Sequence, residues 1–119
     1  MESKDYTELD VWRESRKLVS LVYSVVKNFP EEEKYALSNQ LKRAAVSVPS
    51  NVAEGIGRQH IKERIQFLYI SRGSLYEIET QLFLAIDQGF VELSELQIVF
   101  DQITSCKKLL QGYINYLKK

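Results

Sequence analysis

Apolar residues recur at intervals of three and four along most of this chain, which is the spacing of one face of an α-helix. The pattern is interrupted at Pro30, at the neighbouring Gly55 and Gly57, and at Gly89. Because the predicted connections are only a few residues long, neighbouring helices should run antiparallel. The predicted fold is therefore all-α, a single-domain up-down-up-down four-helix bundle. Its helices are predicted over approximately residues 7–28, 31–57, 61–88 and 94–118.

Local signals at the predicted helix starts agree with these limits. Thr7 with Asp10, and Ser94 with Gln97, have the spacing of capping boxes. Three successive glutamates open the second segment, where acidic groups favour the helix dipole. Pro49 lies inside that segment, and the apolar pattern continues in phase after it, so we predict a kink rather than a break.

The fourth segment has the most regular apolar pattern. Its spacings alternate between three and four, as the a and d positions of left-handed bundle packing do. The sequence therefore predicts left-handed packing of the bundle. The positions concerned are Leu96, Val99, Ile103, Cys106, Leu110, Tyr113 and Leu117.

A polar stripe follows the second segment, about 100° from its apolar face. A solvated face usually carries many lysines and glutamates, whereas amide and hydroxyl groups predominate here and suit hydrogen bonds between close helices. Antiparallel geometry brings the stripe near Ser74, Glu77 and Glu79. We predict an inter-helix polar network in which Arg43 pairs with Glu77 or Glu79. The stripe consists of Gln40, Arg43, Ser47, Asn51, Glu54 and Arg58.

Several large apolar residues fall outside the main apolar seams. One small bundle has limited room for them in its core, and an apolar surface left over commonly marks a partner. Self-association is the simplest such partnership, so we predict a homo-oligomer. The candidate interface residues are Trp12, Phe67, Phe83, Phe100 and Tyr116.

The charge balance argues against the simplest kind of nucleic-acid binder. Sixteen basic and sixteen acidic side chains give a formal net charge of zero, whereas such proteins are usually basic overall. The bundle topology nevertheless gathers basic residues at one end, where a ring of subunits could bind phosphate backbones through summed charge. The candidate nucleic-acid contacts are Arg58, Lys62, Arg64, Lys118 and Lys119.

No catalytic or metal-binding constellation is evident in the 119 residues. With one cysteine, Cys106, and one histidine, His60, the chain has neither a zinc-ligand set nor an internal disulfide. We therefore expect no cofactor, no small-molecule substrate and no enzymatic activity. No stretch approaches the ~20 apolar residues of a membrane span. Together with the absence of a signal-peptide pattern, these features predict a cytoplasmic protein that does not bind a membrane.

The residues also resemble a known family. The similarity lies in Leu9-Asp10-Val11-Trp12, in Phe29-Pro30, in the long run from Gln40 to Gly55, and in Phe67-Leu68 followed by Gly73-Ser74-Leu75. The chain is similar to the four-helix bundle proteins found in intervening sequences of bacterial 23S ribosomal RNA genes. The resemblance covers nearly the whole chain, and the motif in the second segment is long and specific.

That resemblance implies a four-helix bundle that assembles as a homopentamer. Relatives of the family include the accessory variability protein of diversity-generating retroelements, a pentameric barrel that binds nucleic acid and partners a reverse transcriptase. That protein is typically much more basic than this chain. The leading hypothesis from the sequence is therefore a self-assembling scaffold or adaptor. The alternative is an accessory protein that binds RNA or DNA.

Overall fold

The computed structural model describes residues 5–119 and contains four α-helices, with no β-strand in that range. Three short 3-10 turns lie outside the α-helices, at Tyr6–Glu8, Glu31–Glu33 and Leu93–Leu96. The predicted all-α class with four helices is confirmed. The helices are α1 (Asp10–Val26), α2 (Leu37–Ile56), α3 (Ile61–Asp87) and α4 (Gln97–Lys118).

The first helix begins later than the sequence pattern suggests. Thr7 lies in a 3-10 turn that is capped by Asp5, whose carboxylate accepts from the backbone amide of Thr7 at 3.1 Å. Leu9 then adopts an extended conformation, so α1 starts only at Asp10. The predicted pairing of Thr7 with Asp10 as a capping box is therefore replaced by a cap two residues upstream.

The starts of α2 and α4 are also preceded by separate turns. Ala36 is not helical (φ −121°, ψ −111°), which separates the glutamate turn from α2. The Glu33 carboxylate accepts from the Leu37 amide at 3.2 Å and thereby caps α2. Before α4, the capping box is formed by Glu92 and Glu95 rather than by the predicted Ser94 and Gln97. The box lies two residues upstream of the predicted one because a 3-10 turn precedes α4.

The core lies along the apolar faces of all four helices. Most of the predicted seam of α4 is fully buried, although Tyr113 and Leu117 are only partly buried and Ile114 joins the core instead. In α3, Ile61 is 53% exposed because it is the first helical residue, beyond the end of the core. Burying these side chains provides the main stabilisation of the fold.

Each helix packs against two others. α2 contacts α1 and α3, and α4 likewise contacts α1 and α3, so the α1–α2 pair lies on the opposite side from the α3–α4 pair. For the hydrogen-bonded pairs between α2 and α3, the residue number increases along one helix as it decreases along the other, which shows that the two helices are antiparallel. The same is true of the contacts between α3 and α4. The complete up-down-up-down topology and the left-handed packing stay predictions.

Within residues 5–119, no helix combines the length and the apolar character needed to cross a membrane.

Candidate assembly surfaces

The centre of the predicted polar stripe lies against α3. Ser74 Oγ donates to Ser47 Oγ at 2.9 Å, and Asn51 Nδ2 donates to Ser47 Oγ and to the Ser47 carbonyl oxygen, each at 2.9 Å. One turn away, the buried Ser71 hydroxyl donates to the Val48 carbonyl oxygen at 2.7 Å. These short side chains let α2 and α3 approach closely while their polar atoms remain hydrogen-bonded. Hydroxyl groups therefore connect the two helices at mid-length.

The other end of the stripe is less tightly bonded. The Gln81 side-chain amide lies 3.5 Å from Gln40 Oε1 and 3.4 Å from Glu77 Oε2, distances at the long limit of hydrogen bonding. Gln81 Oε1 is buried and has no partner among the described residues. Gln40 itself is exposed. This amide pair therefore orients α2 and α3 more weakly than the serines do.

The predicted ion pair of Arg43 with Glu77 or Glu79 does not form. Arg43 is exposed and makes no salt bridge within the described part of the chain. Glu79 instead faces α4, where both of its carboxylate oxygens lie 3.0 Å from Lys107 Nζ. Lys107 Nζ also lies 4.0 Å from the ring centroid of Tyr76. Glu79 faces away from α2 because it lies about 200° around α3 from Glu77, whose carboxylate is near the α2-facing Gln81.

Gly55 allows the ends of α2 and α3 to meet. A Cβ at this position would lie 3.0 Å from the carbonyl oxygen of Arg64 and 3.1 Å from Phe67 Cβ. Gly55 is helical and buried, and Gly57 rather than Gly55 caps the helix. The glycine therefore serves close helix packing.

Most of the predicted nucleic-acid contacts are engaged within the chain. Arg58 forms a salt bridge with Glu54 at 3.0 Å, and its guanidinium carbon lies 4.7 Å from the centroid of the Phe67 ring. Arg64 Nε donates to the Arg58 carbonyl oxygen at 2.6 Å. Lys118 Nζ donates to the hydroxyl of Tyr69, also at 2.6 Å.

The two remaining basic candidates, Lys62 and Lys119, are exposed. Neither makes a salt bridge with the residues that the structure describes. They lie at the start of α3 and just beyond the end of α4, which antiparallel packing places at one end of the molecule. That end therefore carries two lysines that form no ion pair with residues 5–119.

The five aromatic candidates for an interface have different surroundings. Phe83, 51% exposed, packs on Phe100 with ring centroids 5.1 Å apart, bridging α3 and α4. Tyr116 is 63% exposed and stacks on Tyr113 of its own helix. Phe67 is partly buried at the contact of α2 with α3. Trp12, the fifth, lines a groove between α1 and α2.

A second surface on α3 was not predicted from the sequence. We call it the outer stripe, and it repeats at spacings of three and four on the side of α3 that faces away from the core. Two large apolar residues are prominent in it, Ile70 at 51% exposure and Leu84 at 46%. The sequence indicated this surface only through Ile70 and Leu84, two apolar residues that lie seven positions before and after Glu77 and outside the apolar face that packs in the core. The outer stripe consists of Ile70, Gly73, Glu77, Thr80 and Leu84, all exposed.

An open, mainly apolar groove lies between α1 and α2, with a volume of about 450 Å³. The Trp12 ring forms one wall, edge-on to Tyr6 with ring centroids 5.3 Å apart. The guanidinium carbon of Arg16 lies 5.5 Å from the centroid of the Trp12 ring, at the rim. The α2 wall is low because it is built largely from small residues. The groove lining comprises Tyr6, Trp12, Arg16, Val19, Ser20, Val46, Pro49, Ser50 and Ala53.

A small polar cluster lies between α1 and α4. Ser15, fully buried, donates to the Val11 carbonyl oxygen at 2.6 Å, and Gln102 Nε2 donates to Glu14. Burial raises the pKa of the adjacent Cys106 thiol to about 11, so the thiol is protonated and unreactive at neutral pH. Hydrogen bonds from Lys17 and Gln102 lower the pKa of Glu14. In residues 5–119 no group of three or more candidate ligands comes together to hold a metal ion.

Comparison with known proteins identifies a matching family and a similar fold. The family model described as 23S rRNA-intervening sequence protein matches residues 7–112. A solved structure from Bacteroides thetaiotaomicron, described as a protein with unknown function from the S23 ribosomal protein family, has a similar fold. Its TM-score is 0.77 at 23% identity, over 87% of this chain and 97% of that one. A search of the curated proteins found no match. Because the family match spans most of its length, the chain belongs to the family of 23S rRNA-intervening sequence proteins.

Proposed function

We propose that this protein is a non-enzymatic four-helix bundle that self-assembles, as a homopentamer, into a scaffold or adaptor. The observation that carries the proposal is the outer stripe of α3. Ile70 and Leu84 are each about half exposed there, and neither belongs to the buried face of the helix. The pentameric stoichiometry rests on the resemblance of the sequence to its family.

The composition of α3 supports an intermolecular partner for this stripe. A helix that is apolar on only one side is satisfied by a single core, whereas a helix that is apolar on two sides has a second surface to bury. Beside the stripe, Tyr76 and Phe83 are 47% and 51% exposed. Exposed large apolar side chains are therefore concentrated on the outside of α3, and such concentrations commonly mark interaction sites on soluble proteins.

The test is the mass of the protein in solution, measured by light scattering. Wild-type protein at micromolar concentration should have a mass several times that of the 13.9 kDa chain. The double variant Ile70→Asp/Leu84→Asp should shift towards the monomer, because two carboxylates would have to be desolvated at the interface. A wild-type protein that is monomeric throughout this range would refute the proposal.

The matched control is Ile98→Asp. Ile98 is 71% exposed near the start of α4, so it introduces the same chemical change at a surface outside the outer stripe. Its mass in solution should equal that of the wild type. Circular dichroism of all variants separates loss of assembly from loss of fold.

A second candidate function is nucleic-acid binding at the end of the molecule that carries Lys62 and Lys119. The observation that favours it is that neither lysine is engaged in an ion pair among residues 5–119. It predicts binding to single-stranded RNA or DNA that weakens as salt rises. Replacing both lysines by alanine should reduce the salt dependence by about two ion contacts per chain. Absence of binding at low salt would eliminate this candidate.

A further inference from the structure

The groove between α1 and α2 and the outer stripe of α3 are different in shape. The groove is concave and lined by Trp12, Val19, Pro49 and Ala53, whereas the stripe lies on the convex outside of a helix. They also lie on different sides of the bundle, because α3 packs against α2 and α4 while the groove opens between α1 and α2. No chain can therefore place its own stripe in its own groove.

The two surfaces match in periodicity. On one wall of the groove Trp12 and Val19 are seven residues apart, and on the other wall Val46 and Ala53 are also seven apart. Ile70, Glu77 and Leu84 repeat at the same interval along the stripe. Seven residues of helix rise by about 10 Å, so side chains of a docked helix would meet equivalent positions of the groove at each step.

The surfaces also match in charge. Arg16 lies at the rim of the groove, where it contacts the Trp12 ring and makes no salt bridge with any described residue. Glu77 lies midway along the stripe and is likewise without a salt bridge, with only a long hydrogen bond from Gln81. Each surface therefore offers one charge that forms no salt bridge with a described residue, beside apolar side chains, and the two charges are opposite in sign.

Small residues on both surfaces favour close approach. Pro49, Ser50 and Ala53 keep the α2 wall of the groove low. On the stripe, a Cβ placed at Gly73 would have no neighbour within 4 Å. Helices that present small residues can bring their backbones near one another.

We infer that the α1–α2 groove of one copy receives the outer stripe of α3 from a second copy, with Arg16 paired to Glu77 across the contact. The inference rests on the proposed self-assembly and names the surfaces that meet. The contact is heterologous, because each copy uses one surface as donor and the other as acceptor. Every copy in a closed ring then has both its groove and its stripe covered.

Charge reversal tests this pairing. Arg16→Glu and Glu77→Arg should each weaken self-association about tenfold or more, because each places like charges opposite one another at the contact. The double variant Arg16→Glu/Glu77→Arg should recover most of the wild-type association, since it restores an opposite pair. The measurement is sedimentation equilibrium of each purified variant over a range of concentrations.

Mixing the two single variants gives an independent result. A contact between the groove of Arg16→Glu and the stripe of Glu77→Arg has opposite charges, as does the reverse contact. The mixture should therefore associate more tightly than either variant alone. In a face-to-face contact between two identical stripes, Arg16 would play no part, and Arg16→Glu would associate like the wild type.

Lys108→Glu is the matched control. Lys108 is exposed on α4 and forms no salt bridge among residues 5–119, so its reversal changes the net charge by the same amount as Arg16→Glu. It should leave association unchanged. If the wild type assembles while both single reversals associate like this control, the inference is overturned and the proposed self-assembly stands. A monomeric wild type overturns both.

Discussion

Individual residues here act mainly through the space that they leave or fill. Gly55 and Gly112 are both glycines inside helices, yet their surroundings are opposite. The backbone of α3 lies against Gly55, whereas a Cβ at Gly112 would have no neighbour within 4 Å. The same amino acid is therefore required at one position and costs helix stability at the other.

Replacing these two glycines by alanine should have effects of opposite sign. Gly55→Ala should lower the free energy of unfolding by about 1–2 kcal/mol, because overpacking against the Arg64 carbonyl outweighs the gain in helix propensity. Gly112→Ala should raise it by about 0.5–1 kcal/mol, since only the propensity term applies. Urea-induced unfolding at a fixed protein concentration measures both. A gain in stability for Gly55→Ala would mean that α2 and α3 are not held at this distance.

Cys106 should give the stability of the protein a defined alkaline pH dependence. Its folded-state pKa is raised by burial to about 11, whereas an unfolded thiol ionises near pH 8.5. Between these two values the unfolded state loses a proton that the folded state keeps, so the free energy of unfolding falls as pH rises.

The variant Cys106→Ala isolates this effect from the titration of other groups. The variant loses packing at every pH, but it lacks the alkaline loss that the thiol causes. The difference in unfolding free energy between wild type and variant should therefore be smaller at pH 10 than at pH 7.5. A difference that is equal at the two pH values would show that the thiol ionises alike in both states.

At the scale of the helices, hydroxyl groups fix how α2 lies on α3. The bond between Ser47 and Ser74 and the bond from Ser71 to the Val48 carbonyl are both inter-helix contacts of 2.9 Å or less. A shift along α3 by one residue would separate both pairs, because neighbouring residues point about 100° apart. The serines therefore specify the register of two helices whose apolar faces alone would tolerate several alignments.

A double-mutant cycle should detect this contact. Ser47→Ala and Ser74→Ala together should cost less than the sum of the two single changes, with a coupling of about 0.5–1 kcal/mol, because either single change removes the shared bond. Ser47 paired with the exposed Ser105 of α4 is the control, and these two changes should be additive. Additivity within the Ser47–Ser74 pair would show that the bond does not contribute to stability.

The molecule as a whole is elongated, with extents of 50 × 25 × 19 Å. Four helices of this length enclose a narrow core, and α3 carries apolar side chains both towards that core and away from it. Self-assembly would remove the outer group from water. The stability of the protein should then depend on its concentration.

This dependence predicts a melting temperature that rises with protein concentration. Association of the folded state stabilises it by mass action, so a hundredfold increase in concentration should raise the midpoint measurably. The assembly-deficient variant Ile70→Asp/Leu84→Asp should melt at a temperature independent of concentration. Scanning calorimetry of both proteins over that range is the measurement. A concentration-independent wild-type midpoint would argue against assembly.

Much of this architecture was predictable from the apolar pattern. Helical periodicity is a local property, and it located all four helices and most of the core of α4. The helix starts were less accurate because several residues compete to cap each one, as Glu92 and Glu95 do before α4. The sequence placed the polar stripe near Ser74 but did not identify Ser47 as its partner, since the length of the turn alone does not fix the alignment of two helices.

By itself, the sequence determined the fold class, the number of helices and the family, because these depend on periodicity and on motifs that are continuous along the chain. Only the tertiary structure decided which polar and apolar side chains face a neighbour. Glu79 pairs with Lys107 rather than with Arg43, and Ile70 and Leu84 lie outside the core. The physical reason is that the partner of a side chain depends on helix rotation and register, which arise from packing over the whole bundle rather than from any one segment.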